Sequence, residues 1–231
     1  MQYQAVLVES REIAPDTRHF VFSVEGVEQF PYEPGQFVSF TEHFDGKPIT
    51  RAYSIASLPE GNRFELCVNE VKDGRFSPYL FRLQPGERVP MKGPVGTFTL
   101  RDPLGDALFV ATGTGIAPMR GLLLRALQSG SKARLQLLFG VRYEHSLLYR
   151  EELESLAAEY PNFEFIPTLS RPTEAWTGYT GRVQQHLDEV LGERRNLHVY
   201  VCGLKEMVNS VREELKARGF DRKQIIVEKY D

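Results

Sequence analysis

The spacing of apolar residues changes once along the chain, near Arg101–Gly105, and no single architecture accommodates both patterns. Before that point, short runs rich in Val, Phe and Tyr follow one another: QAVLVES, HFVFSV, QFVSF, AYSIA, RFELCV and ERVPMK. The turn signals EPG, DG, EG, KDG and QPG separate them. This succession predicts consecutive antiparallel strands, hence a small barrel or sandwich, because short turns return the chain beside itself. One short helix is expected near Ser77–Leu83.

After Pro103, apolar runs alternate with helical stretches. ALFVAT precedes APMRGLLLRALQ, ARLQLLFGV precedes REELESLAAEY, and FEFIPTLS precedes GRVQQHLDEVL. LHVYVCG and KEMVNSVREELKAR follow, and IIVEKY comes last. Gly130 and Gly219 stand where helices stop. The alternation predicts right-handed βαβ units and a five-stranded parallel sheet with helices on both faces. The turn RDPLG then divides an antiparallel β domain, 1–101, from an α/β domain, 102–231.

Several classes of function are excluded at this level. A formal net charge of -3 gives no electrostatic footprint for nucleic acid. No apolar run reaches the roughly 18 residues that a membrane span requires, and the first residues lack the order of a secretory signal. Only two cysteines occur, Cys67 and Cys202, which argues against a disulfide framework and for a reducing cytoplasm. Two thiols are also too few for an iron–sulfur cluster, which normally takes four. The five histidines show no metal-ligand spacing, and no serine sits in a nucleophile elbow. Any electron carrier must therefore be an organic cofactor or a separate protein.

Ligands of open parallel sheets bind at the carboxyl ends of the strands, so the residues following each strand matter most. After the first comes Gly113-Thr114-Gly115-Ile116-Ala117-Pro118, running into a helix. It reads either as a tight strand-to-helix turn or as a cradle whose backbone amides approach a pyrophosphate at a helix N-terminus. Proline fits the start of a helix because its missing N–H would be unpaired there anyway. Gly140-Val141-Arg142 follows the second strand and Ser170-Arg171-Pro172 the third. The next loop runs through Gly178 and Tyr179 to Gly181-Arg182, and Cys202-Gly203 ends the fourth strand. One such arginine would by default be a solvated surface residue, but three on neighbouring strand ends suit phosphate recognition. Cys202 reads equally as a small buried hydrophobe or as part of a site. In the first half, Arg51-Ala52-Tyr53-Ser54-Ile55-Ala56-Ser57 puts Arg51, Tyr53 and Ile55 on one face and Ala52 and Ser54 on the other. Periodicity alone makes this no more than a polar edge strand.

Taken in order, Arg51-x-Tyr53-Ser54, Gly74-x-x-Ser77-x-x-Leu80, Gly93-Pro94-x-Gly96, Gly113-Thr114-Gly115-Ile116-Ala117-Pro118 and Cys202-Gly203 resemble the ferredoxin–NADP reductase family over essentially the whole chain. The resemblance implies a flavin-binding barrel followed by a nucleotide-binding α/β domain, with FAD and NADPH as cofactors and NADH less favoured. It implies that Arg51 contacts the flavin phosphates, Tyr53 stacks on the isoalloxazine and Ser54 lies near its reactive nitrogen. Ala52, Cys67, Val68 and Asn69 join that site, and Gly74 and Ser77 help hold the pyrophosphate. Gly113, Thr114, Gly115 and Pro118 would bind the nicotinamide dinucleotide, with Cys202 and Gly203 beside its ring. Arg142, Ser170, Arg171 and Arg182 match the contexts in which bacterial members recognise the 2′-phosphate. Glu174, the first acid after the third strand, is the residue that could oppose them. Tyr230, on a last strand ending at the edge of the glycine loop, is expected to cover the flavin face.

The leading expectation is therefore an NADPH:ferredoxin or flavodoxin reductase. A reductase component serving an oxygenase, a free-flavin reductase and a non-catalytic regulatory subunit on the same fold are the rivals. A basic surface for an acidic carrier could be assembled from Arg11, Arg18, Arg63, Lys72 and Arg75.

Overall fold

The computed structural model describes residues 2–230 and separates into two units. One runs to Thr99 and takes in Arg120–Arg125; the other comprises Leu100–Met119 and the chain from Ala126.

In the first unit the six expected runs are six strands: β1 (Gln2–Ala14), β2 (Thr17–Val24), β3 (Phe37–Phe44), β4 (Lys47–Ser54), β5 (Arg63–Asn69) and β6 (Arg88–Val95). The short helix α1 (Phe76–Arg82) precedes β6. All pairings are antiparallel, in the order β4-β3-β6-β1-β2-β5. The two edge strands meet through an Ile55↔Leu66 bridge, and Ala56 N–H donates to the Glu65 carbonyl at 2.8 Å. The sheet thus closes into a barrel, which removes the exposed edges an open sheet would leave. Alternation fills the interior: Phe20, Phe22 and Val24 from β2, Val38 and Phe40 from β3, and Phe64, Leu66 and Val68 from β5 are buried together. Phe22 stacks on Phe64 with centroids 5.6 Å apart. Phe76 and Leu80 of α1 plug the same core. Each fully buried Phe contributes roughly 1.5–3 kcal/mol.

Beyond the barrel strands come β7 (Ala107–Thr112) and α2 (Ile116–Gln128), the helix that contains Arg120–Arg125, then β8 (Leu135–Val141), α3 (Arg150–Glu159), β9 (Phe163–Leu169) and β10 (Tyr179–Thr180). The chain continues with α4 (Leu187–Leu191), β11 (His198–Leu204), α5 (Lys205–Ala217) and β12 (Ile225–Tyr230). Every pairing is parallel, in the order β10-β9-β8-β7-β11-β12. The five expected strands are joined by one two-residue edge strand, β10, too short to carry a periodicity. Leu108, Val110 and Val201 face α4 and α5, packing with Leu187, Val190, Val208 and Leu215. The alternate residue Phe109 points to the other face, where it stacks on Tyr200 at 5.0 Å. From β7 the chain builds outward to β8 and β9, then crosses to β11 on the opposite side. This reversal opens a crevice at the carboxyl end of β7.

The helix expected over residues 181–191 is broken into a 3-10 turn, Val183–His186, and the five-residue α4. Gln185 Oε1 accepts from Arg182 N–H at 2.7 Å, capping the 3-10 turn, and His186 Nε2 lies 3.1 Å from the Thr180 carbonyl. No described helix is long and apolar enough to cross a membrane.

Candidate functional site

The reversal point is occupied by the glycine loop. Gly113–Gly115 forms a single 3-10 turn between Thr112 and the start of α2. A Cβ on Gly115 would lie 2.3 Å from the Cys202 carbonyl oxygen, and one on Gly203 would lie 2.4 Å from Thr112 Oγ1. Gly115 thus lies against the backbone at Cys202 and Gly203 against the Thr112 side chain, approaches that a Cβ would obstruct. Pro118 is buried within the first turn of α2, and the Thr114 hydroxyl bonds to no described residue. Cys202 is fully buried. Burial pushes its thiol well above the ordinary range, the Glu228 carboxylate adds to this, and a hydrogen bond with the Tyr230 side chain opposes it. Such a buried thiol stays protonated and is no thiolate nucleophile.

Around the carboxyl ends of β8 and β9, backbone bonds gather the arginine-bearing loops. Ser170 N–H donates to the Val141 carbonyl at 3.0 Å, and Arg171 N–H to that of Arg142 at 2.8 Å. Gly181 N–H donates to Leu169, and the Thr168 hydroxyl donates to Gly181 at 3.0 Å, returning Arg182 to the strand end. An open cavity of about 440 Å³ results, lined by Ser170, Gly181, Arg182, Gln184, Gln185 and Ser210. Among the described residues, none of Arg142, Arg171 and Arg182 forms an ion pair, with Glu174 or with any other acid. Arg171 instead donates to the Tyr143 hydroxyl at 3.2 Å. Gln184, Gln185 and Ser210 escaped the sequence reading. The two glutamines sit in what reads as a helix, and Ser210 enters only because β11 places α5 beside β9's loop.

In the barrel, Arg51 lies exposed on β4, donating to the neighbouring Thr50 carbonyl at 2.9 Å and meeting no described carboxylate. The register Phe40↔Arg51 and Val38↔Tyr53 puts Arg51 and Tyr53 in one row, with Ala52 exposed on the other face. Tyr53 packs between Phe40 and Phe76, at 5.8 and 6.2 Å, and its burial pushes the phenol up despite the nearby Arg51. Ser54, at the end of the strand, is buried. Cys67 and Val68 are buried on β5, while the Asn69 amide donates to the Asp16 carbonyl at 2.8 Å. Gly74 N–H donates to the Val71 carbonyl at 2.7 Å, and Ser77 Oγ accepts from Val71 N–H at 2.9 Å. These two therefore shape their own turn, while the Ser77 proton stays available to a ligand. The expected basic surface is thinner than its sequence: Lys72 and Arg75 are paired with Asp16 and Asp45, and Arg18 is held by the Phe81 carbonyl.

One polar cluster had no sequence signal. Arg120, on α2, donates to Glu65 Oε2 at 2.6 Å and to the Ala56 carbonyl at 2.7 Å. Glu65 also faces His19 at 3.7 Å, and its N–H donates to Ser57 Oγ, which bonds the Tyr32 hydroxyl at 2.7 Å. The segment just after Ser54 is thereby fixed from both its carbonyl and its side-chain faces.

A closed antiparallel barrel with a free cation on its fourth strand, joined to a parallel sheet with a glycine loop at its reversal point, defines a two-cofactor oxidoreductase. Residues 4–100 match the family model of the oxidoreductase FAD-binding domain, and residues 109–213 that of the oxidoreductase NAD-binding domain. The chain is 42% identical to ferredoxin–NADP reductase B of Sorangium cellulosum, covering 99% of this chain and 98% of that protein. It is 36% identical to the ferredoxin–NADP reductase of Thermosynechococcus vestitus over 87% of this chain and 60% of that one. The solved cytochrome P450 reductase GcoB of Amycolatopsis superposes with a TM-score of 0.91 at 29% identity, over 99% of this chain and 69% of that one. The chain belongs to the ferredoxin–NADP reductase family.

Proposed function

We propose that the protein is an FAD-containing reductase that moves electrons between NADPH and a one-electron carrier such as ferredoxin or flavodoxin. The observation that carries this reading is the uncompensated positive charge of Arg142, Arg171 and Arg182 at adjoining strand ends, two of them unpaired and one held by a neutral hydroxyl. A 2′-phosphate brings roughly two negative charges at neutral pH, and planar guanidinium groups suit it. A site for NADH would set an acid against the ribose hydroxyl, whereas β9 is followed by Ser170 and Arg171.

The residues present fit both cofactors. In this reading the barrel, 1–101, takes the flavin and the α/β domain, 102–231, the dinucleotide. The flavin, when bound, supplies the chemistry, accepting hydride from the nicotinamide and releasing electrons singly. Arg51 has no acid beside it among the described residues, which leaves its charge for a phosphate. Tyr53 offers an aromatic edge to a flat ring, Ser54 a buried hydroxyl to its reactive side, and Ala52, Cys67, Val68 and Asn69 the flanking wall. Gly74 shapes the turn that holds Ser77, whose hydroxyl proton serves the pyrophosphate. Gly113, Thr114, Gly115 and Pro118 cradle the dinucleotide, with Ser170 at its ribose. Cys202 and Gly203 flank the nicotinamide ring, and Tyr230 is the cover that the ring displaces. Alignment of donor and acceptor is what the protein contributes, since the hydride step needs no protein acid or base.

Purified protein should be yellow through gel filtration and should reduce a dye acceptor with NADPH. Adding ferredoxin and cytochrome c should give NADPH-dependent cytochrome reduction. Flavin lost on the column would support a free-flavin reductase instead, and no dye reduction would sink catalysis altogether.

A further inference from the structure

We infer that Tyr143 is a positioning residue for the phosphorylated coenzyme, orienting the Arg171 guanidinium without cancelling its charge. The inference rests on the NADPH reading above.

Tyr143 follows Arg142 just beyond β8, and its hydroxyl accepts a hydrogen bond from Arg171 Nη1 at 3.2 Å. Its ring stacks on His145, with centroids 5.3 Å apart and planes within 13°, which fixes the direction in which the hydroxyl points. The backbone bond from Arg171 N–H to the Arg142 carbonyl sets the two loops at that separation. Tyr143 remains 38% exposed, so this ring is not there to fill a core.

A guanidinium can be ordered by a carboxylate or by a neutral oxygen. The carboxylate holds it more strongly but neutralises it; a phenol oxygen occupies one N–H and leaves the full charge and the remaining donors for an anion. Both devices occur in this chain: Arg88 is held by Glu25, Arg150 by Glu144 and Glu154, and Arg218 by Asp188, whereas Arg18 and Arg195 are held by backbone carbonyls. The acid beside Tyr143 in sequence, Glu144, is itself drawn to Arg150 at 2.6 Å, away from Arg171. The corner is thus assembled from a neutral orienting group and cations. A coenzyme carrying the 2′-phosphate supplies the anion that this arrangement leaves room for.

Tyr143→Phe removes the hydroxyl and keeps the ring and its stack. Steady-state kinetics of the flavin-loaded full chain with NADPH and NADH should be compared for wild type, Y143F, R171A and the double variant. The ratio of the NADPH to the NADH KM should rise about two- to tenfold in Y143F, the worth of one modest hydrogen bond. In the R171A background the same substitution should shift the ratio no further, because the group it orients is gone. Titration with adenosine 2′,5′-bisphosphate against 5′-AMP, read by calorimetry, should show the same dependence without turnover. Equal changes for both coenzymes, or an additive effect in the double variant, would overturn the inference while leaving the NADPH reading intact. A wild type with no preference for NADPH would overturn that reading first and this inference with it.

Discussion

Arg171 and Cys202 are the two residues whose surroundings make the sharpest demands. Removing a charged hydrogen bond to a phosphate costs about 1.5–3 kcal/mol, so Arg171→Ala should raise the NADPH KM on the order of 10- to 100-fold. NADH lacks the phosphate and should respond far less; comparable losses with both coenzymes would mean that the arginine only supports its loop. For Cys202 the direction of the shift sets the prediction. Its pKa lies above the ordinary value, so at pH 8 its thiolate fraction is below that of a free cysteine. Iodoacetamide at pH 8 should leave Cys202 unmodified in the folded protein and label it after denaturation, as read by peptide mass spectrometry. Rapid labelling of the native form would contradict the buried, neutral thiol. The arginines were legible because a strand-end position is a statement about sequence. Ser210 was not, because its neighbours are set by which strand α5 follows.

Among the elements, α2 carries more than its sequence suggested. Its periodicity announces a helix after the glycine loop, and that helix is present at Ile116–Gln128. Nothing in the periodicity separates Arg120 from a solvated arginine, yet it is the partner of Glu65 and of the Ala56 carbonyl. Glu65→Gln removes the charge from an ion pair that is mostly shielded from water, with Arg120 left at 15% exposure. We expect a loss on the order of 2 kcal/mol. Urea unfolding should show a lower midpoint with an unaltered m-value; an unchanged midpoint would show the pair to be energetically idle. The reading of residues 181–191 as one helix failed for a related reason. Its apolar spacing is helical, but Gln185 caps a short 3-10 turn and His186 reaches the Thr180 carbonyl, and such contacts leave no periodic trace.

For the molecule as a whole, the division into two rhythms was legible and the strand orders were not. Turn signals identify successive strands, but β6 lying between β1 and β3, or β11 beside β7, depends on pairings between distant residues. The exchange of Arg120–Arg125 between units is invisible for the same reason. If the barrel binds flavin only when folded, stripping the cofactor should lower its unfolding temperature. Adding FAD back at a hundredfold excess over Kd should restore about 2.7 kcal/mol. Scanning calorimetry of the stripped and reloaded protein measures this, and coincident curves would argue against a flavin site in the folded barrel.

The interlock of Gly115 with Cys202 and of Gly203 with Thr112 bears on how this chain could drift. Any side chain at either position would strike backbone or a neighbouring side chain at under 2.5 Å, whether or not a coenzyme ever arrives. A descendant that had lost catalysis would still be obliged to keep both glycines in order to fold. Arg142, Arg171 and Arg182 brace nothing with their charge, so they are free to vanish as soon as selection for coenzyme use relaxes. A degenerate copy of this protein would therefore wear the glycine signature of a working enzyme long after its arginines had gone.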